Sequence, residues 1–299
     1  MTSARRTAPA ARWVGWVIGA AVWAAPALAS AGAVDLFYER TVMTAADARC
    51  DLFEPGVGAA LAAGQAQARG AALRAGVADE TLAQVERNAR LKAAGSACDS
   101  RDLIVAADRV RNAFEGYAKL TRMEYPGEIA DWRADRGTGR AARWRLAQTA
   151  AFGWDRMVFG LAGREGADAL MAVATFADGQ EPYAARLVIR DVSRTSGPYL
   201  DQRTSGGRAT LAKRLPTGAV TTFAAEARSA AGADLLPKGV SKGVAFRFPA
   251  AAQRAMAGLD PREAAAVEFL FAGDRDVVRR AYVEVGDFAA GRAFLQASR

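Results

Sequence analysis

Apolar residues recur at two different periods along this chain, and the change between them divides it. Up to about residue 123 the spacing is three and four. Leu103, Ala107, Val110, Phe114, Tyr117 and Leu120 fall on one face of a helix. Asp99 and Ser100 stand where its N-cap belongs, and Asp102 adds negative charge to the first turn. Leu82, Val85, Ala89 and Ala93 mark an earlier helix, capped by Asp79. Val57, Leu61, Gly64, Ala68 and Ala72 line one side of a helix from Pro55 to Ala75. Its small residues permit close approach, although glycine also weakens a helix. A first helix covers Val34 to Ala48. The spacing predicts a four-helix bundle over residues 32–127.

Tyr125-Pro126-Gly127 ends the fourth helix, because a residue before proline is pushed out of helical geometry. Residues 128–143 read as a linker whose later part, Arg133 to Arg143, is basic and flexible. The period then becomes two. Met157, Phe159 and Leu161 alternate, as do Ala185, Leu187 and Ile189, and then Val244, Phe246 and Phe248. Val267, Phe269 and Phe271 repeat the pattern, followed by Ala281, Val283 and Val285. Period two with turn signals between is antiparallel sheet. Asp178-Gly179 and Gly273-Asp274-Arg275-Asp276 supply two such turns. Short helices are expected at Pro249–Leu259 and Asp287–Ala297. The fold class is α+β: a helical bundle, then an antiparallel β-sandwich over residues 144–299.

The two cysteines fit this layout. Cys50 lies between the first two helices and Cys98 between the last two. In an up-down-up-down bundle those connections share one end, so a disulfide is expected to staple the helices. The bridge would close a loop of about 49 residues, worth roughly 4 kcal/mol in the chain-entropy model. Cleaving it is expected to loosen the bundle and leave the sheet half folded.

The start of the chain sets the compartment. Arg5, Arg6 and Arg12 precede an apolar run from Trp13 to Ala25, broken by Pro26 before Ala27-Leu28-Ala29. That order is a secretory signal peptide, assigned to residues 1–31. The run is short for a membrane span, which needs about 20 apolar residues. After cleavage the protein is expected in the periplasm or secreted, not integral to the membrane. Removing residues 1–29 takes away three arginines and no acids, so the net charge falls from +8 to +5. Codon bias toward arginine explains that surplus, as does attraction to an anionic glycan or lipid surface. No nucleic-acid motif is present.

The chain contains no histidine. This removes Ser-His-Asp and Cys-His nucleophile systems and histidine-ligated metals. No phosphate-cradling or serine-nucleophile motif appears, and no cofactor or metal is implied. What survives is carboxylate chemistry, a lysine nucleophile or an oxygen-ligated cation. Three places could carry function. At the junction, Tyr125, Trp132, Trp144, Phe152 and Trp154 interleave with Arg133, Arg136, Arg140 and Arg143. Aromatic faces beside guanidinium groups suit sugar rings, acidic polymers or an envelope protein, though the same aromatics could fill a seam. The loop from Ser193 to Gly218 carries Arg194, Arg203, Arg208, Lys213 and Arg214 against Asp201. Glu124, Glu128 and Asp131 could form the acid-base pair of a glycan-processing enzyme.

The last 45 residues carry Met256-Ala-Gly-Leu259, Ala266-Val-Glu-Phe-Leu-Phe271, Ala281-Tyr-Val-Glu-Val285, Gly286-Asp-Phe288-Ala-Ala290 and Phe294-Leu295. This order of helix, strand, hairpin, strand and closing segment resembles the secreted invasion-associated locus B-like proteins. The resemblance implies a periplasmic, non-catalytic β-sandwich, although that family usually carries cysteines in the sheet half and this chain does not. The expected function is an exported, non-enzymatic interaction or scaffolding module. The alternatives are a carboxylate-dependent glycan enzyme, or a carrier holding a small apolar ligand in the sandwich.

Overall fold

The computed structural model describes residues 25–299, leaving aside 138, 165, 168, 200–208, 238, 274–276 and 297–299. It is an α+β protein in which four helices precede two antiparallel sheets. The helices are α1 (Ala25–Cys50), α2 (Pro55–Arg74), α3 (Asp79–Ala94) and α4 (Arg101–Ala118). Pro55 opens α2 where its missing N–H would have had no partner anyway. Ser100 is the N-cap of α4, as expected. Ala78, not Asp79, holds that place on α3, and Asp79 sits in the first turn, where its charge still suits the helix dipole. Among the described residues α1 reaches back to Ala25, through Ala27-Leu28-Ala29. Cys50 and Cys98 are bonded, with Cα atoms 5.6 Å apart, so the end of α1 is tied to the α3–α4 connection.

Helix α2 is buried nearly all round, because Ala60, Ala63, Gly64, Ala68, Gly70 and Ala72 leave room for neighbours on several sides. Helix α1 packs on α2 and α3, while α4 packs on α2. Met43, Phe53, Leu61, Leu103 and Ala107 form an apolar cluster toward the disulfide. Phe37, Ala72, Leu73 and Leu82 form another toward the far end.

The strands are β1 (Arg122–Tyr125), β2 (Trp132–Asp135), β3 (Arg143–Phe152), β4 (Asp155–Gly163), β5 (Ala169–Thr175) and β6 (Ala184–Arg190). They continue with β7 (Val220–Ala224), β8 (Ala227–Ala230), β9 (Val244–Phe248), β10 (Ala264–Phe271) and β11 (Val277–Glu284). One sheet has the order β1-β2-β3-β4-β5-β9-β8 and the other β11-β10-β6-β7. Phe159, Phe246 and Phe248 of the first face Leu187, Val267 and Phe269 of the second in a single core. Ala252 and Met256 of α5 (Ala250–Ala257) join that core, as do Phe288 and Phe294 of α6 (Phe288–Gln296). The pairing of β3 with β4 shifts register between Trp144 and Leu146. Opposite that irregularity Gly160 has φ +151°, and a Cβ there would lie 1.9 Å from the Leu146 carbonyl oxygen. Only glycine fits.

The linker expected at 128–143 is in part a strand. Trp132 and Ala134 point inward while Arg133 and Asp135 point out, and β2 pairs with β1 and β3. Helix α4 ends at Ala118, before Leu120, and the chain enters β1 ahead of Pro126. The two halves also share their core. Ala63 of α2 belongs to the sandwich cluster, and α2 packs along α6. Arg74 seals that contact with two hydrogen bonds to the Asp287 carboxylate, at 2.8 and 3.1 Å. Residues 274–276 of the expected turn and part of the 193–218 loop, including Asp201, Arg203 and Arg208, lie outside the described residues.

Candidate functional site

The aromatic and arginine residues of the junction are distributed over the molecule and do not form one face. Tyr125 and Trp132 are fully buried. The Trp132 indole N–H donates to the carbonyls of Glu284 and Val285, at 3.1 and 3.0 Å. The Tyr117 and Tyr125 hydroxyls are 2.8 Å apart, and burial pushes both phenols above their ordinary pKa. Arg136 lies 3.5 Å over the Phe294 ring and donates to the carbonyls of Phe294 and Ala118. Burial lowers its guanidinium pKa. Trp144 is half-buried on the outer face of the larger sheet, donating to the Leu235 carbonyl at 2.9 Å. Arg140 is exposed and Arg143 half-buried. Trp154 is elsewhere, 92% exposed at the tip of the β3–β4 hairpin.

The acids near the junction are each paired or hydrogen-bonded. Glu124 pairs with Arg133 at 3.1 Å, Glu128 with buried Arg214 at 2.9 Å, and Asp131 accepts the Gly127 N–H at 3.2 Å. A carboxylate that the pattern concealed is Glu284, fully buried on β11. It accepts backbone N–H bonds from Glu128, Ile129 and Ala130 at 2.8, 2.8 and 3.0 Å. A Cβ on Gly127 would come within 2.7 Å of this carboxylate, so glycine is required beside it. The sequence signal was only the alternation of Glu284 with Val283 and Val285, which reads as outward-facing.

Three concavities remain as places for a ligand. A cleft of ≈ 530 Å³ separates the start of α3 from the segments around Ser196 and Asp260. Two of its three lining carboxylates are matched by arginines, Asp79 by Arg69 and Asp260 by Arg262 at 2.9 Å, while Glu80 is exposed. Behind the cleft, Glu263 is held by Arg190. Among the described residues a pair of facing free acids, the requirement for glycoside chemistry, does not arise there. A second pocket of ≈ 370 Å³ covers the outer face of the smaller sheet, where Glu268 lies between Arg186 and Arg280 on adjacent strands. Burial alone would raise the Glu268 pKa; hydrogen bonds and charge from the two arginines outweigh it and hold the carboxyl below its ordinary range.

The third concavity is an apolar groove of ≈ 490 Å³ between α1 and α4. Both helices rest on α2, and the valley between them stays open, with Lys92 of α3 also lining it. Leu61 and Met43 form its buried floor, with Val110 and Phe114 half-covered along the α4 wall and Leu36 45% exposed at the α1 wall. Gly64 makes the seating of Phe114 possible, since a Cβ there would stand 3.0 Å from the ring. Arg40, Lys92 and Arg109 ring the groove, with Glu39 the one acid among them. Arg40 donates to the Gly64 carbonyl at 2.6 Å, with its guanidinium carbon 5.7 Å from the Phe114 ring centre. Burial pulls the Arg40 pKa down, and Tyr117 and Glu39 oppose that shift. The α4 stripe predicted this surface only in part, because Leu103 and Ala107 of the same stripe are fully covered.

Among the described residues no helix is long and apolar enough to cross a membrane. Nor do any three His, Cys, Asp or Glu side chains among them gather where they could hold a metal ion. No family model matches the chain, and no curated protein or solved structure matches it.

Proposed function

We propose that the protein is an exported, non-enzymatic interaction module of the cell envelope, and that the α1–α4 groove is its contact surface. The observation that carries this is the groove itself: apolar walls of Leu36, Val110 and Phe114 left partly open to solvent over a buried floor, and ringed by three cations against one acid. Apolar patches kept exposed on a soluble protein mark sites of association. The disulfide fits an oxidising compartment. The N-terminal charge and apolar order, and the likeness of the last 45 residues to secreted β-sandwich proteins, favour the same compartment. The pairing of Asp79 and Asp260 with arginines leaves Glu80 without a facing free acid among the described residues of the inter-half cleft, which weighs against an acid-base enzyme. The space between the sheets is packed with Phe159, Phe246, Phe248 and Phe269, which weighs against a ligand carried there.

Retention of the fluorescently labelled protein on isolated envelopes tests the reading. Wild type should be retained, with retention falling as salt is raised through the range that screens surface charge. Ala113→Trp places a large ring on an exposed groove position and should abolish retention. Equal retention of the two proteins, or no retention of either, would contradict it.

A further inference from the structure

We propose that the α1–α4 groove docks an amphipathic helix of a partner protein, one carrying acidic residues beside its apolar stripe. This rests on the groove being the contact surface. The placement of the helices supplies the first ground. Helices α1 and α4 both lie on α2, so a helix laid in the valley between them would complete a four-membered packing arrangement. Leu36, Val42, Val110 and Phe114, each at least partly exposed above the buried Leu61 and Met43, offer apolar contacts for residues at i, i+3, i+4 and i+7 of such a helix.

Charge supplies the second ground. The groove lining itself carries three cations, Arg40, Lys92 and Arg109, against the single acid Glu39. Among the described residues no ion pair is formed by Arg40, Lys92 or Arg109, the three cations around the groove. Acidic residues flanking the apolar stripe of an incoming helix would meet them, whereas a basic helix would be repelled. An acyl chain fits less well. The groove is open along its length, with Leu36 half-exposed, so methylenes would stay wet on one side. A helix needs only one stripe covered.

The test is selection from displayed helices of 18 residues, the length of α4. Each carries a fixed leucine stripe with flanks drawn from Glu, Lys, Gln and Ser. The bait is the purified full chain with its disulfide intact, counter-selected against Ala113→Trp. Glutamate should be enriched at the flanks. A synthetic winner should lose about 10-fold or more in affinity for Lys92→Glu/Arg109→Glu, a change of about 1.4 kcal/mol. Enrichment of lysine flanks, or of no flank charge, overturns the proposal. Palmitate binding to wild type but not to Ala113→Trp, with no helix selected, would overturn the helix and spare the groove. Concentration-dependent self-association that Ala113→Trp abolishes, with no helix selected, would assign the groove to a second copy and overturn the proposal likewise. If neither the helices nor palmitate distinguish wild type from Ala113→Trp, and no such self-association is seen, the groove falls as a contact surface too.

Discussion

Trp132 gives the sharpest single test of how β2 is built into the core of the sheet half. Its side chain is 0% exposed and packs against Phe288 and Phe159, with ring centres 5.2 and 6.4 Å away. An aromatic side chain of this kind removes about 200 Å² from water, worth about 5 kcal/mol at 25 cal/mol/Å². Truncation of buried tryptophan to alanine typically costs about 3–5 kcal/mol. The indole N–H adds about 1 kcal/mol through its bonds to the Glu284 and Val285 carbonyls. Trp132→Ala should therefore destabilise by about 4–6 kcal/mol. Trp132→Phe keeps most of the ring, loses the donor and should cost about 1–2 kcal/mol. Urea unfolding followed by circular dichroism reads both from the midpoint, with the slope checked for constancy. A loss below about 1 kcal/mol for Trp132→Ala would refute the burial of β2 in that core and return Trp132 to the surface.

The Cys50→Ser/Cys98→Ser variant should lose up to about 4 kcal/mol. Because α2 shares a core with the sandwich through Ala63 and α6, helix and sheet signals should be lost in one coincident transition; two separated transitions would contradict the shared core. Glu268 has a folded pKa held below its unfolded value, so its stabilising contribution is present above about pH 4.3 and lost as pH falls through the lower folded value. The stability gap between wild type and Glu268→Gln should shrink from pH 5 toward about pH 3, and a gap that stays constant or widens would contradict the Arg186–Glu268–Arg280 arrangement. Trp154→Ser should change stability by less than about 0.5 kcal/mol and remove a solvent-quenched component of tryptophan emission; a larger loss would mean the hairpin tip is packed.

The parts of the fold that were legible in sequence are those where pattern and environment agree. Leu103 to Phe114 and Met157 to Leu161 alternate at the period of their element, and the cysteine positions closed the helical layout. Strand β2 was hidden because Trp132-Arg133-Ala134-Asp135 alternates over only four residues, next to a glycine- and arginine-rich stretch that reads as loop. Strand β5 contains Ala169, Ala172 and Ala174, which carry little preference for either period. Strand β8 is exposed at all four positions and so has no buried face to betray it. The groove was illegible for a different reason. A helix stripe shows which residues are apolar, whereas coverage of Val110 and Phe114 depends on how α1 and α4 splay on α2. Likewise the junction arginines look alike in sequence, yet Arg136 is folded over Phe294 and Arg140 is exposed.

The most direct measurement is site-specific photo-crosslinking in cells at native abundance, with the photoreactive residue placed in turn at Ala113, Trp154 and Glu80. These report the groove, the hairpin tip and the inter-half cleft. The groove should give a discrete adduct at position 113 that disappears when Lys92→Glu and Arg109→Glu are introduced. A discrete adduct at position 154 or 80, with none at 113, would contradict the groove as the working surface.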